Sequence, residues 1–261
     1  MILAMGIGNT NFVFAQKEKG ITNIERHDTS SLKTSKDFVK VIKTCTTKFD
    51  VEGIIVSSVI PSLTSHLIDA VQNLFGVTPI VVSSDIPMSL DLSAYNKKQI
   101  GNDRIAVCES AISNYSMPAI IFDFGTATTI NIVDEEHRFL GGSILTGVTM
   151  GLDALCKNTA QLPKGDIAHS AVQLIGSNTV DCLISGAVYG NVAMIEGMTH
   201  RIEDSLGKKA TVLVTGGNAR FILPFCKEDL IYDENLQIDG LFEIYNKNIG
   251  GIYFETETKV F

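Results

Sequence analysis

Residues 1–16 and 119–133 follow a single plan: an apolar strand, an x-x-Gly-x turn with threonine nearby, and a β-branched returning strand. Gly6-Ile-Gly-Asn-Thr lies over Asp123-Phe-Gly-Thr-Ala. The plan occurs twice, once at the head of each half. Two copies predict duplicated domains and not a solenoid, which needs three or more stacked units.

The rest of the chain fits two such halves. Met1–Met5 reads as a buried strand, Gly6–Thr10 as a tight turn and Asn11–Gln16 as the returning strand. Helical spacing at Phe38, Val39 and Ile42 predicts a helix over 32–44, with Ser and Thr ahead of it as caps. Gly53-Ile-Ile-Val-Ser-Ser-Val fits a parallel strand, followed by a helix over 63–74 and a strand over 78–83. A helix from Gly101 to Tyr115 precedes a domain boundary at 114–118. Further elements are strands at 119–125 and 128–133, helices at 148–159 and 180–206, and a strand at 210–214. Strands alternating with helices give an α/β class with a largely parallel sheet. The expected domains are 1–116 and 117–261.

Composition narrows the function. Charged residues make up 19% and hydrophobic ones 45%, which is globular and not disordered. A net charge of -8 offers no basic surplus for nucleic acid. An anionic ligand such as ATP remains compatible, because a metal ion and a few donors can reverse the field locally. The cysteines, Cys45, Cys108, Cys156, Cys182 and Cys226, include no CxxC pair, so neither a zinc site nor a disulfide framework is indicated; they are expected to be small buried hydrophobes. The N-terminal apolar run is too short for a signal peptide or a membrane span, and a cytoplasmic protein with no membrane partner is expected.

Glycine turns of this kind suit phosphate, since backbone N–H groups can approach closely and Thr or Asn adds donors. They also serve as plain hairpin turns. Two copies, with a third turn at Thr215-Gly216-Gly217-Asn218, favour phosphate binding. Neither GxxxxGK[ST] nor GxGxxG occurs.

The segments Gly8-Asn9-Thr10-Asn11, Ser57-Ser58-Val59-Ile60-Pro61, Gly101-Asn102-Asp103-Arg104, Asp123-Phe124-Gly125-Thr126-Ala127-Thr128-Thr129, Gly141-Gly142, Leu162-Pro163, Ser185-Gly186 and Thr215-Gly216-Gly217 together resemble the type III pantothenate kinase family. That family is a branch of the actin-like ATPase superfamily, and the likeness spans essentially the whole chain. It implies two ribonuclease-H-like (actin-like ATPase) domains with a nucleotide cleft between them. The implied activity is ATP-dependent phosphorylation of pantothenate to 4'-phosphopantothenate, the first step toward coenzyme A. It further implies Mg2+ with ATP, K+ or NH4+, and a homodimer.

By this resemblance Asp103 is the general base, accepting the proton of the attacked hydroxyl. Tyr95, Gly101, Asn102, Asp103, Arg104 and Thr179 bind the substrate, although Tyr95 lies one residue too near Gly101. Gly6, Ile7, Gly8, Asn9, Thr10, Asn11 and Thr126 contact ATP, and Asp123 holds the monovalent cation. Taken on their own, Asp103-Arg104 reads as a surface pair near a helix start and Thr179 as part of a helix cap. Val188, Val192, Ile195 and Met198, at helical spacing, fit either a dimer interface or core packing.

One position departs from the family. Its first phosphate turn reads Asp-x-Gly-Asn-Thr, and here the aspartate is Gly6. The repeat makes the same point, since the second copy carries Asp123 where the first carries Gly6. Two readings follow: a working kinase with an unusual metal shell, or a catalytically weak or inactive regulatory relative on the same scaffold.

Overall fold

The computed structural model describes residues 1–47, 50–168 and 170–257. The chain divides into two compact units, Met1–Asn114 with the residues from Asn235 on, and Tyr115–Glu234. The first cut falls in the expected boundary. The second was not expected: the last helix belongs with the first half, so the reading of 117–261 as one domain differs from the contacts.

The first unit is a five-stranded sheet in the order β3-β2-β1-β4-β5, with β1 Ile2–Ile7, β2 Asn11–Glu18, β3 Ile21–Asp28, β4 Gly53–Ser58 and β5 Ile80–Val81. β1 runs antiparallel to β2 and parallel to β4. Alternate side chains face opposite sides. Leu3, Met5, Phe12, Phe14, Ile54 and Val56 pack in one core with Phe38 and Ile42 of α1 (Ser35–Cys45) and Leu67 and Val71 of α2 (Pro61–Phe75). α1 starts on a capping box formed by Thr34 and Asp37, and α2 starts with Pro61 at its first turn.

α3 (Asn102–Asn114) and α6 (Leu236–Glu257) also belong to this unit and pack on each other. Their approach is close: Gly240 of α6 lies against the Ala106 carbonyl of α3, with no room for a Cβ, and on β4 Gly53 lies likewise against the Tyr245 ring of α6. Between them Glu109, wholly buried, accepts backbone N–H bonds from Ser89 and Leu90 and an ion pair from Lys247 Nζ at 3.1 Å. Asn248 Nδ2 donates to the Pro87 carbonyl at 3.0 Å. The long loop ahead of α3 is thereby fastened to both helices.

The second unit repeats the first. Its sheet, β10-β9-β6-β7-β8, has the same plan read in reverse: β6 Ala119–Phe124, β7 Ala127–Val133, β8 Phe139–Thr146, β9 Thr211–Thr215 and β10 Ile231–Tyr232. β6 is antiparallel to β7 and parallel to β9. Ile120, Phe122, Phe124 and Val214 share a core with α4 (Val148–Asn158) and α5 (Thr179–Leu206). Val188, Val192 and Ile195 are buried in it and Met198 packs against it, so these positions serve the core and not an interface. The cysteine expectation holds for Cys45 and Cys108, whereas Cys182 is exposed; all five are free.

Replacing Glu109 by Ala leaves the Lys247 ammonium, the buried Leu90 N–H and the partly buried Ser89 N–H without their acceptor. The expected loss is about 3–5 kcal/mol of stability, read from urea denaturation.

Candidate active site

The first turn begins later than its sequence suggests. Gly6 and Ile7 are the last residues of β1, paired with Val13 and Phe12 on one side and Ser57 and Ser58 on the other. Strand pairing to both neighbours overrides the turn preference of glycine at position 6. The turn itself is Gly8-Asn9-Thr10, closed by Gly8 N–H to Asn11 O at 2.9 Å. Gly8 suits the turn, since a Cβ there would sit a tight 3.2 Å from Asn11 O. Asn9, Thr10 and Asn11 are exposed.

A residue without any sequence signal of its own braces this turn. Thr29, buried just past β3, donates its hydroxyl to Gly8 O and its N–H to Thr10 O, each at 2.9 Å. Only the cluster Asp28-Thr29-Ser30-Ser31 hinted at a turn there.

β4 ends beside β1, and Val59 N–H reaches Ile7 O at 3.0 Å. Asn102 at the start of α3 donates its side-chain amide to Ser58 O at 3.2 Å. Gly6–Asn11, Ser57–Pro61 and Gly101–Arg104 therefore gather where β1 and β4 end, the carboxyl edge at which open α/β sheets bind ligands. Asp103 lies in the first turn of α3, where the helix dipole favours negative charge, and one of its oxygens accepts the Arg104 N–H at 2.9 Å. A Cβ on Gly101 would strike that same oxygen. Arg104 is buried, and its charge opposes the burial that pushes the Cys108 thiol far up. Tyr95 is half-buried in the preceding loop, its N–H closing a turn onto Leu92 O at 3.1 Å.

The second unit builds a matching turn, one residue shorter. Gly125 and Thr126 link β6 to β7, and Asp123 occupies the strand position of Gly6, in register with Thr129 and Thr215. Asn218 N–H reaches Phe124 O at 3.0 Å, as Val59 reaches Ile7, and Asn218 Nδ2 reaches Gly125 O at 2.9 Å. Gly216, at φ +91°, lies over the carboxylate: a Cβ there would be 2.6 Å from Asp123 Oδ1. Gly147, capping α4, is as tightly placed: a Cβ there would strike Thr126 O and lie 2.8 Å from Gly125 O. Thr179 is the exposed first residue of α5, and the cap is Asn178, which accepts Asp181 N–H at 3.0 Å.

Comparison with known proteins decides the family. The model of the type III pantothenate kinase family matches residues 2–201. The chain belongs to the type III pantothenate kinase family. A type III pantothenate kinase of Exiguobacterium sp. is 36% identical over 254 residues, covering 95% of this chain and 99% of the relative. Among solved structures, a Baf-family protein of Campylobacter jejuni overlays at TM-score 0.60 and 22% identity, covering 95% of this chain and 99% of its own. The activator of the 2-hydroxyisocaproyl-CoA dehydratase of Clostridium difficile, solved with ADPNP, overlays at TM-score 0.52 and 13% identity, over 100% and 98% of the two chains. These overlays share the actin-like ATPase fold with this type III pantothenate kinase family member.

Gly216→Ala forces a side chain into Asp123 at a backbone angle that suits glycine. A loss of about 1–3 kcal/mol in thermal unfolding is expected.

Proposed function

We propose that this chain transfers the γ-phosphoryl group of ATP to the terminal hydroxyl of pantothenate, giving 4'-phosphopantothenate. Membership of the family carries this reading, and the grouping of Gly101–Arg104 with the first glycine turn supports it. In our assignment Asp103 accepts the hydroxyl proton, while Arg104, Gly101, Asn102, Tyr95 and Thr179 bind the substrate. In-line phosphoryl transfer asks mainly for positioning and charge stabilisation, and one oriented carboxylate meets the need for a base.

Gly6–Asn11 and Thr126 are assigned to ATP. The hard oxygens around Asp123, a carboxylate with glycine-turn carbonyls nearby, suit K+ or NH4+. The first turn carries no carboxylate, since Gly6 stands at the position of Asp123 and the next acidic residue along the chain is Glu18. Mg2+ commonly keeps several waters and relies on phosphate oxygens. On that side it would be held by the nucleotide and water, where it supplies charge neutralisation on the phosphates.

We also assign a homodimer. The second unit exposes Leu140, Ile144 and Leu145 on edge strand β8, Met150 and Leu155 on α4, and Leu174 and Ile175 before α5. Ile144 is 67% and Ile175 83% exposed, an apolar display that marks interaction surfaces when contiguous. Among the described residues no helix is long and apolar enough to cross a membrane, which accords with a cytoplasmic enzyme.

A coupled ADP-release assay with pantothenate, Mg2+ and K+ tests the reading. The unaltered chain should turn over, and Asp103→Asn should lower kcat by roughly 10²–10⁴-fold with an unchanged circular-dichroism spectrum. Gly6→Asp should fold normally, because its Cβ would meet only Val13 Cβ at 4.0 Å, and should raise kcat by about a hundred- to a thousandfold. Turnover confined to Gly6→Asp would overturn the claim that the chain is itself a working kinase. In light scattering Ile144→Lys should convert a dimer to a monomer.

A further inference from the structure

Away from the phosphate turn, the first unit brings together a carboxylate, an imidazole and a thiol. Glu25 and His27 stand two apart on β3, hence on one face of that edge strand, and Cys45 is the last residue of α1. His27 Nε2 lies 3.2 Å from Cys45 Sγ and 3.8 Å from Glu25 Oε2, and all three ligand atoms fall within 4.8 Å of one another. We propose that Glu25, His27 and Cys45 form a binding site for a zinc-like divalent metal ion, with three protein ligands and one position open to water.

The spacing fits the ion. Tetrahedral zinc, with Zn–S about 2.3 Å and Zn–N or Zn–O about 2.0–2.2 Å, holds sulfur and nitrogen about 3.5 Å apart and nitrogen and oxygen about 3.4 Å apart. The observed distances bracket those edges, with Nε2 as the shared vertex. Charge also fits: one thiolate and one carboxylate balance a divalent cation, and imidazole binds neutral.

The surroundings prepare the ligands. Cys45 is buried, which fixes its sulfur, whereas Glu25 is exposed and His27 half-exposed, which leaves an entry path. The Phe12 ring, opposite His27 in the strand register, packs at 6.4 Å from the imidazole and limits its swing. Sequence reading missed the site because its ligands are not a CxxC pair; they come from a strand and from a helix end 18 residues later. Bound metal would rivet β3 to α1 two residues ahead of Thr29, the brace of the phosphate turn.

The test loads the metal-stripped full chain with Co2+ and then Zn2+. Co2+ should give tetrahedral d–d absorption and a thiolate charge-transfer band at one equivalent, both abolished by Zn2+. Cys45→Ser should remove the charge-transfer band. Glu25→Gln, at an exposed position that should leave folding intact, should weaken Zn2+ binding at least about tenfold in competition with a chromophoric chelator. Absence of the band in the unaltered chain, or equal Zn2+ affinity in the unaltered chain, Glu25→Gln and Cys45→Ser, would overturn the site.

Discussion

The parallel pairing of β1 with β4, and of β6 with β9, is the constraint on which the rest hangs. Parallel strands finish at the same edge, so each pairing delivers one turn and one strand end to the same place. The two pairings are sealed alike: Val59 donates to Ile7 O in one unit and Asn218 to Phe124 O in the other. Every residue assigned to the nucleotide or the cation lies on β1 or β6 or within four residues of one. A slip of one residue in the β6 register would turn Asp123 toward α4 and α5 and replace it with Phe122 or Phe124.

Legibility in the sequence followed burial. β1, β4, β6 and β9 are packed into cores and read as unbroken apolar runs, which is why they were found. β3 went unseen because it alternates weakly among exposed polar residues, and β8 because its apolar residues point outward. α6 lacks a strong apolar stripe: its burial comes from α3 and the sheet around it, which no local pattern encodes. In the candidate site, Asp103 and Asp123 were visible through the family likeness. Thr29 and Glu109 were not, since their roles arise from backbone groups that only the folded chain brings near them.

Gly6 and Asp123 show how two copies of one scaffold can diverge chemically while the backbone stays the same. Gly6 does not have a left-handed φ, and a Cβ there would meet nothing closer than 4.0 Å. The fold does not demand glycine at that position. Gly216 is the opposite case, with both its φ and its neighbour Asp123 excluding a side chain. The same residue type is a chemical choice at one turn and a geometric necessity at the other.

The assignment of α6 to the first unit has a consequence for how the protein is made. Tyr115–Glu234 is one uninterrupted segment, so it possesses all its strands and helices once residue 234 has left the ribosome. The first unit is split, and its α3, resting on β4, lacks its main packing partner until α6 emerges. Nascent chains fold domain by domain, usually from the N-terminal end; here the order inverts. The middle of the chain can settle first, while the half synthesised earliest keeps the α3 face of its core open until α6 has emerged.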